Sequence, residues 1–155
     1  MRLAAGLAVM IFVADQALKY YVVHVLRLWE RLAIDVIPPF LTLRMAWNHG
    51  INWLRWVLIG VALAISAAVW IWAARERHKA MVQVSAGLLI GGAIGNVVDR
   101  VVYGAVADFL NMSCCGFVNP YAFNIADIAI FAGAIGLALF TGDGKTGTGR
   151  RAKGA

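Results

Sequence analysis

Apolar positions in this chain gather into four long, nearly unbroken runs, rather than into the spaced stripe of a helix with one wet face. The runs cover about 3–25, 54–74, 80–102 and 121–140. At about 1.5 Å of rise per residue, each is long enough to cross roughly 30 Å of hydrocarbon. The segment between the first two runs is different. It reads RLWERLAIDVIPPFLTLRMAWNHGIN, with Pro38 and Pro39 followed by the alternating stretch LTLRMAW, the period of a strand. The pattern predicts an all-α integral membrane protein. Its four transmembrane helices form a bundle, with a small extramembrane β-element over about 26–53 lying across it at the interface.

Composition narrows this further. Of 155 residues, 62% are hydrophobic and 14% charged, and mean hydropathy is +0.76. A water-soluble domain of this length needs far more polar surface, and the length leaves no room for a second domain. Residues 1–155 therefore read as one membrane-embedded domain. Asp15, Gln16 and Lys19 interrupt the first run, and no small-residue cleavage site follows it. It is a retained helix rather than a removable signal peptide.

The formal charge of +6 matters mainly through its placement. Arg2, Arg75, Arg77, Lys79 and the tail residues Lys145, Arg150, Arg151 and Lys153 fall on one side of the predicted bundle. Arg27, Arg31, Arg44 and Arg55 fall on the other, mixed with Glu30 and Asp35. The positive-inside rule puts both termini in the cytoplasm and the β-element outside. Trp29, Trp47, Trp53 and Trp56 then line the outer interface as an aromatic belt. The basic clusters flank apolar spans, where anchoring charges belong, so no nucleic-acid partner is expected. The Gly/Thr-rich tail over about 142–155 is expected to be disordered. Cys114 and Cys115 are adjacent, a spacing that rarely suits a disulfide, and read as two small loop residues.

Ionisable side chains within the apolar runs carry the chemistry, because lipid makes each of them costly. Asp15 and Lys19 lie four apart on one helical face and can pair, either as a packing lock or as part of a site. In GGAIGNVVDRVVYGAVADF, Gly91, Gly92 and Gly95 allow close helix packing, and Asn96, Asp99 and Arg100 follow within about a turn. Asp99 reads as a solvated or paired helix end, whereas an inward Arg100 could hold a carbonyl or phosphate. Asp108 lies just beyond the third run, and Asp127 about two turns into the fourth. If the chain reverses within NMSCCGFVNP, the two acids return to similar depth. They are then either a facing pair or two independent structural acids. A facing pair shares a proton and can activate water against an amide. His24, His49 and His78 are scattered, and no zinc, serine-elbow or phosphate-loop motif occurs, so neither metal nor cofactor is expected.

Five blocks now carry a resemblance: VADQALK, WNHGIN, GGAIGNVVDRV, GAVADF and FNIADIAI, in that order. Together they resemble lipoprotein signal peptidase, or signal peptidase II, the aspartic peptidase family A8, over nearly the whole chain. The resemblance implies a bacterial inner-membrane endopeptidase. Such enzymes cut the signal peptide from prolipoproteins that carry a diacylglyceryl group on the cysteine destined to become the new N-terminus. It places the catalytic dyad on Asp108 and Asp127. Substrate-orienting groups fall on Asn48, Asn96, Arg100 and Asn124, with Asp15, Lys19 and Gly50 in support. It also implies sensitivity to the cyclic peptide globomycin, contact with membrane lipid, and nothing that demands more than a monomer. Many members follow the asparagine-glycine block with small residues and a phenylalanine, whereas this chain has NHGINWLRW.

Two other classes remain to be weighed. A small transporter would want its acids near mid-bilayer, but the candidate pair lies towards one interface. A scaffold could pack on Gly91, Gly92 and Gly95 alone, which leaves the polar cluster without a purpose.

Overall fold

The computed structural model describes residues 1–49, 53–117 and 119–141. Helix α1 spans Arg2–Tyr20 and runs on through a π-helical turn, Tyr21–Val25. A single turn, α2 (Leu28–Arg31), leads into strands β1 (Ala33–Ile37) and β2 (Leu41–Asn48). Helices α3 (Leu54–Arg75) and α4 (Ala80–Val102) follow, then strand β3 (Val106–Met112) and helix α5 (Ile125–Phe140). The predicted runs thus become helices with almost the expected limits. α1 with its π-helical turn, α3 and α4 are long and apolar enough to span a bilayer. α5 is shorter, 16 residues against an expected run of about 20.

Most of α4 is buried, and the other helices pack around it. Glycine makes this possible. A Cβ on Gly91 would lie 2.6 Å from the Ala8 carbonyl oxygen of α1, and one on Gly133 would lie 2.6 Å from the Ser85 carbonyl oxygen of α4. Backbones therefore touch where any side chain would hold them apart. Gly87 faces Ala4, Gly91 faces Ala8 and Gly95 faces Asp15, so α1 and α4 run parallel. Gly92 faces Ala126 and Gly133 faces Leu89, so α5 runs antiparallel to both. Arg2, Arg75, Arg77 and Lys79 consequently collect at one end of the bundle. Val9, Val13, Val61, Ile71, Phe131 and Leu139 point outward and stay exposed, an apolar belt that only lipid would solvate.

The β-element differs from expectation in one important respect. The sheet has three antiparallel strands in the order β1-β2-β3, and its third strand comes from beyond α4. β3 pairs with β2 in the register Ala46↔Asp108, Trp47↔Ala107 and Asn48↔Val106. Asp108, expected just beyond the third run, therefore sits on a strand. Beneath the sheet, Val22, Leu28 and Phe109 form a closed apolar cluster with Leu18, Leu43 and Met45 around them.

Two further expectations are corrected. The fourth helix begins at Ile125, not near Tyr121, so Asp127 lies in its first turn rather than two turns in. Residues beside β3 hold the preceding chain extended: Leu110 and Phe123 exchange backbone hydrogen bonds of 2.8 and 3.0 Å. The buried Asn111 side chain clamps the Asn119 and Tyr121 carbonyls at 2.7 and 2.8 Å. Cys114 and Cys115, expected to be unlinked, are joined in a disulfide within a tight turn, with positive φ at Cys115 (56°) and Gly116 (84°). The tail over 142–155 lies outside the described residues.

Candidate active site

Asn124 organises the site. It is fully buried at the N-cap of α5, where its side-chain oxygen accepts the Asp127 N–H at 2.9 Å. Asp127 reaches back and accepts the Asn124 N–H at 3.2 Å, which completes a capping box. The other end of the Asn124 amide donates to Asp108 Oδ1 at 2.7 Å. Asn124 thus touches both acids, its side-chain amide donating to the Asp108 carboxylate and its backbone N–H to that of Asp127. Asp108 arrives on β3 and Asp127 on α5, and the strand-like pairing of Leu110 with Phe123 brings those elements side by side.

Asn96, nearly two turns before the end of α4, makes the second bridge. Its Nδ2 donates to Asp127 Oδ1 at 2.8 Å, and its Oδ1 accepts from Asn124 Nδ2 and from Lys19 Nζ, each at 3.3 Å. The amides of Asn96 and Asn124, expected to orient substrate, donate in this structure to the Asp127 and Asp108 carboxylates. Arg100 lies one turn further along α4 and donates to the Asn96 carbonyl at 3.2 Å. Asn48 sits exposed at the end of β2, on the strand beside Asp108. Gly50 lies outside the described residues.

Beneath the acids lies a second charged layer. Lys19 is buried between Asp15 at 2.6 Å and Asp99 at 2.7 Å. Gln16 donates to Asp99 Oδ1 at 2.9 Å and lies 3.3 Å from Asp15 Oδ2. Asp15 also accepts the Ala126 N–H at 3.0 Å, which ties α1 to the first turn of α5. The expected Asp15–Lys19 pair is present, but it belongs to a larger cluster. Asp99, read as a solvated or paired helix end, is the paired kind and only 1% exposed. Sequence reasoning gave Gln16 no role, although its place between Asp15 and Lys19 on an apolar run was the available signal.

Burial, and then the neighbouring Asp127 charge, push the Asp108 carboxyl up to about 6. Hydrogen bonds from Asn124 and Asn48 and the Lys19 charge pull it part of the way back. An apolar groove of about 420 Å³ opens beside this cluster between α3, α4 and α5. Leu58, Ala62, Ile65 and Ala93 line it, and Asn96 and Arg100 stand at its polar end.

Comparison with known proteins gives a consistent picture. The family model described as signal peptidase (SPase) II matches residues 7–141. The lipoprotein signal peptidase of Methylobacterium sp. (strain 4-46) is 41% identical over 138 residues, covering 83% of this chain and 82% of that protein. The Pseudomonas putida lipoprotein signal peptidase is 35% identical over 143 residues, covering 86% and 82%. A bacterial membrane enzyme solved by the in meso method at 2.3 Å superposes with a TM-score of 0.77 at 27% identity, covering 95% of this chain and 94% of that one. A second such structure, at 1.9 Å, gives 0.79 at 26% identity, covering 91% and 93%. With nearly its whole length matched in sequence and in fold, this chain belongs to the signal peptidase II family of aspartic peptidases, family A8.

Proposed function

We propose that the chain cleaves the signal peptide from diacylglyceryl-modified prolipoproteins, on the N-terminal side of the lipid-bearing cysteine, with Asp108 and Asp127 activating one water. Family membership and relatives named lipoprotein signal peptidase support the reaction. The assignment of the dyad rests chiefly on one observation: Asn124 donates to both carboxylates, its side-chain amide to Asp108 and its backbone N–H to Asp127.

Their surroundings suggest how the work divides. Both Asp127 oxygens already accept an N–H, so the shared proton resides on Asp108. Water attacks the scissile carbonyl as Asp127 takes its proton and Asp108 protonates the carbonyl oxygen. When the C–N bond breaks, Asp127 passes its proton to the leaving amine and Asp108 recovers one from the intermediate's hydroxyl. Asn96, Asn124 and Asn48 all engage the acids, and Arg100, together with the exposed Asn48 beside Asp108, is placed to orient the substrate backbone. The groove between α3, α4 and α5 suits an apolar stretch of substrate whose end must reach Arg100.

Placement in the membrane follows from the same features. α5 rises about 24 Å and with the extended chain before it completes a fourth crossing. The basic end with Arg2 and Arg75 faces the cytoplasm, together with both termini. The dyad and the sheet lie at the opposite, periplasmic face of a bacterial inner membrane. There the sheet covers the peptide and sheds bulk water. Lipid tails of the substrate stay between helices. A globomycin-type cyclic peptide would compete for this place, and a monomer suffices because one chain supplies every group named.

The test is incubation of purified protein with a diacylglyceryl-modified prolipoprotein peptide, resolved on a gel. Asp108→Asn and Asp127→Asn should each abolish cleavage and still accumulate in the membrane. Wild-type turnover in either variant removes that residue from the mechanism.

A further inference from the structure

The dyad is held by amides, and an amide has two ends that look alike in shape but not in charge. Asn96 must present Nδ2, not Oδ1, to Asp127, since two facing oxygens would repel. Nothing on α4 itself decides this. Two donors on other elements decide it: Lys19 Nζ on α1 and Asn124 Nδ2 each donate to Asn96 Oδ1 at 3.3 Å and so fix which end turns towards the acid.

Lys19 is only 5% exposed, and a cation at such a place must be paired. Two carboxylates pair it, Asp15 at 2.6 Å and Asp99 at 2.7 Å, from different helices. One would satisfy its charge. The second fixes its direction, because Nζ is drawn between α1 and α4 and its remaining donor falls on Asn96. Gln16 steadies the arrangement by donating to Asp99 at 2.9 Å and to the Gly95 carbonyl at 3.4 Å. α3 has no charged residue between Arg55 and Arg75 to compete for these groups.

We infer that Lys19, aimed by Asp99 and Gln16, is an orientation lock on the Asn96 amide, which makes all three positioning residues for Asp127. The inference rests on the dyad reading above. It gives Asp99 and Gln16 a task that neither the helix-end position of the one nor the neutrality of the other suggests. Asp15 has a separate duty as well, since it also anchors the Ala126 N–H.

Lys19→Met is expected to lower kcat about a hundredfold, the usual scale for misplacing a reacting group by about 1 Å, with KM nearly unchanged. Asp99→Asn and Gln16→Ala should lower kcat more mildly, again without moving KM. The decisive measurement is a double-mutant cycle with Asn96→Ala. If Lys19 acts through Asn96, Lys19→Met costs almost nothing further once Asn96 is gone. A full, independent loss in that background overturns the lock, as does a rise in KM at constant kcat. Should Lys19→Met fail to accumulate in the membrane, Asp99→Asn and Gln16→Ala carry the test, and wild-type kcat in both overturns it. Asp127→Asn separates the two readings. If it retains turnover, the dyad fails; if it is inactive while Lys19→Met is not, the lock alone fails.

Discussion

Asn124 donates its side-chain amide to Asp108 across 2.7 Å while the same side chain caps the helix that carries Asp127. A residue that starts a helix therefore also sets the spacing of two acids. Fold and chemistry are joined at this point, and the two can be separated experimentally.

Asn124→Ser keeps a capping oxygen but has no amide to offer Asp108 at the same time. Its thermal midpoint in detergent should stay near wild type, while cleavage drops by two orders of magnitude or more. Asn124→Ala loses the cap as well, at about 1 kcal/mol. Equal stability losses in the two variants would show that capping is not what Asn124 contributes.

Asp108→Asn should make the protein more stable as well as inactive. The folded carboxyl keeps its proton up to about pH 6, against an ordinary value of 3.8. Ionising it therefore costs more in the folded state than in the unfolded state. The penalty is absent below pH 3.8, grows between there and 6, and is complete above. Its scale is on the order of 3 kcal/mol. Thermal unfolding at pH 8 should favour the asparagine variant, and at pH 3.5 the advantage should vanish. A variant less stable than wild type at pH 8 contradicts the burial assigned to Asp108.

Substitution at the helix contacts should sort by the space each glycine faces. Gly91→Ala and Gly133→Ala put a methyl within 2.6 Å of a facing backbone oxygen, and each should cost about 1–3 kcal/mol. Gly60→Ala meets nothing within 4 Å and should be neutral or slightly stabilising. Denaturation midpoints of the three variants in one detergent make the comparison.

Ala62→Phe narrows the groove between α3, α4 and α5 without touching the acids. KM for a lipidated peptide should rise about tenfold or more while kcat stays within a few-fold, since one phenylalanine forfeits a few kcal/mol of burial. A fall in kcat alone would place the substrate's apolar stretch elsewhere.

The long helices could be read directly because lipid demands unbroken apolar runs, and α4 begins and ends where its run does. The third strand could not. VADFLNM pairs with a strand about sixty residues earlier, and local pattern carries no trace of so distant a partner. The start of α5 was misplaced because Tyr121, Ala122 and Phe123 extend the apolar run without being helical. The signal for the true start was Pro120 followed by Asn124 with an acid three residues on, a capping pattern. Asp15, Lys19, Asp108 and Asp127 stood out because charge in an apolar run needs a reason. Asp99 did not, since an Asp-Arg pair at a run's end already has an ordinary one. Only the return of α1 alongside α4 reveals that Asp99 faces inward.

The hydrogen bond from Ala126 to Asp15 links positions 111 apart in sequence. Asp127 lies on α5, whereas the charges beneath it lie on α1 and α4, which are made before it. A chain synthesised through β3 already carries that charge cluster and Asp108, but neither Asn124 nor Asp127. With the two acids acting together as proposed, hydrolysis waits until α5 has been made and docked against α1, which spares neighbouring membrane proteins a half-built protease.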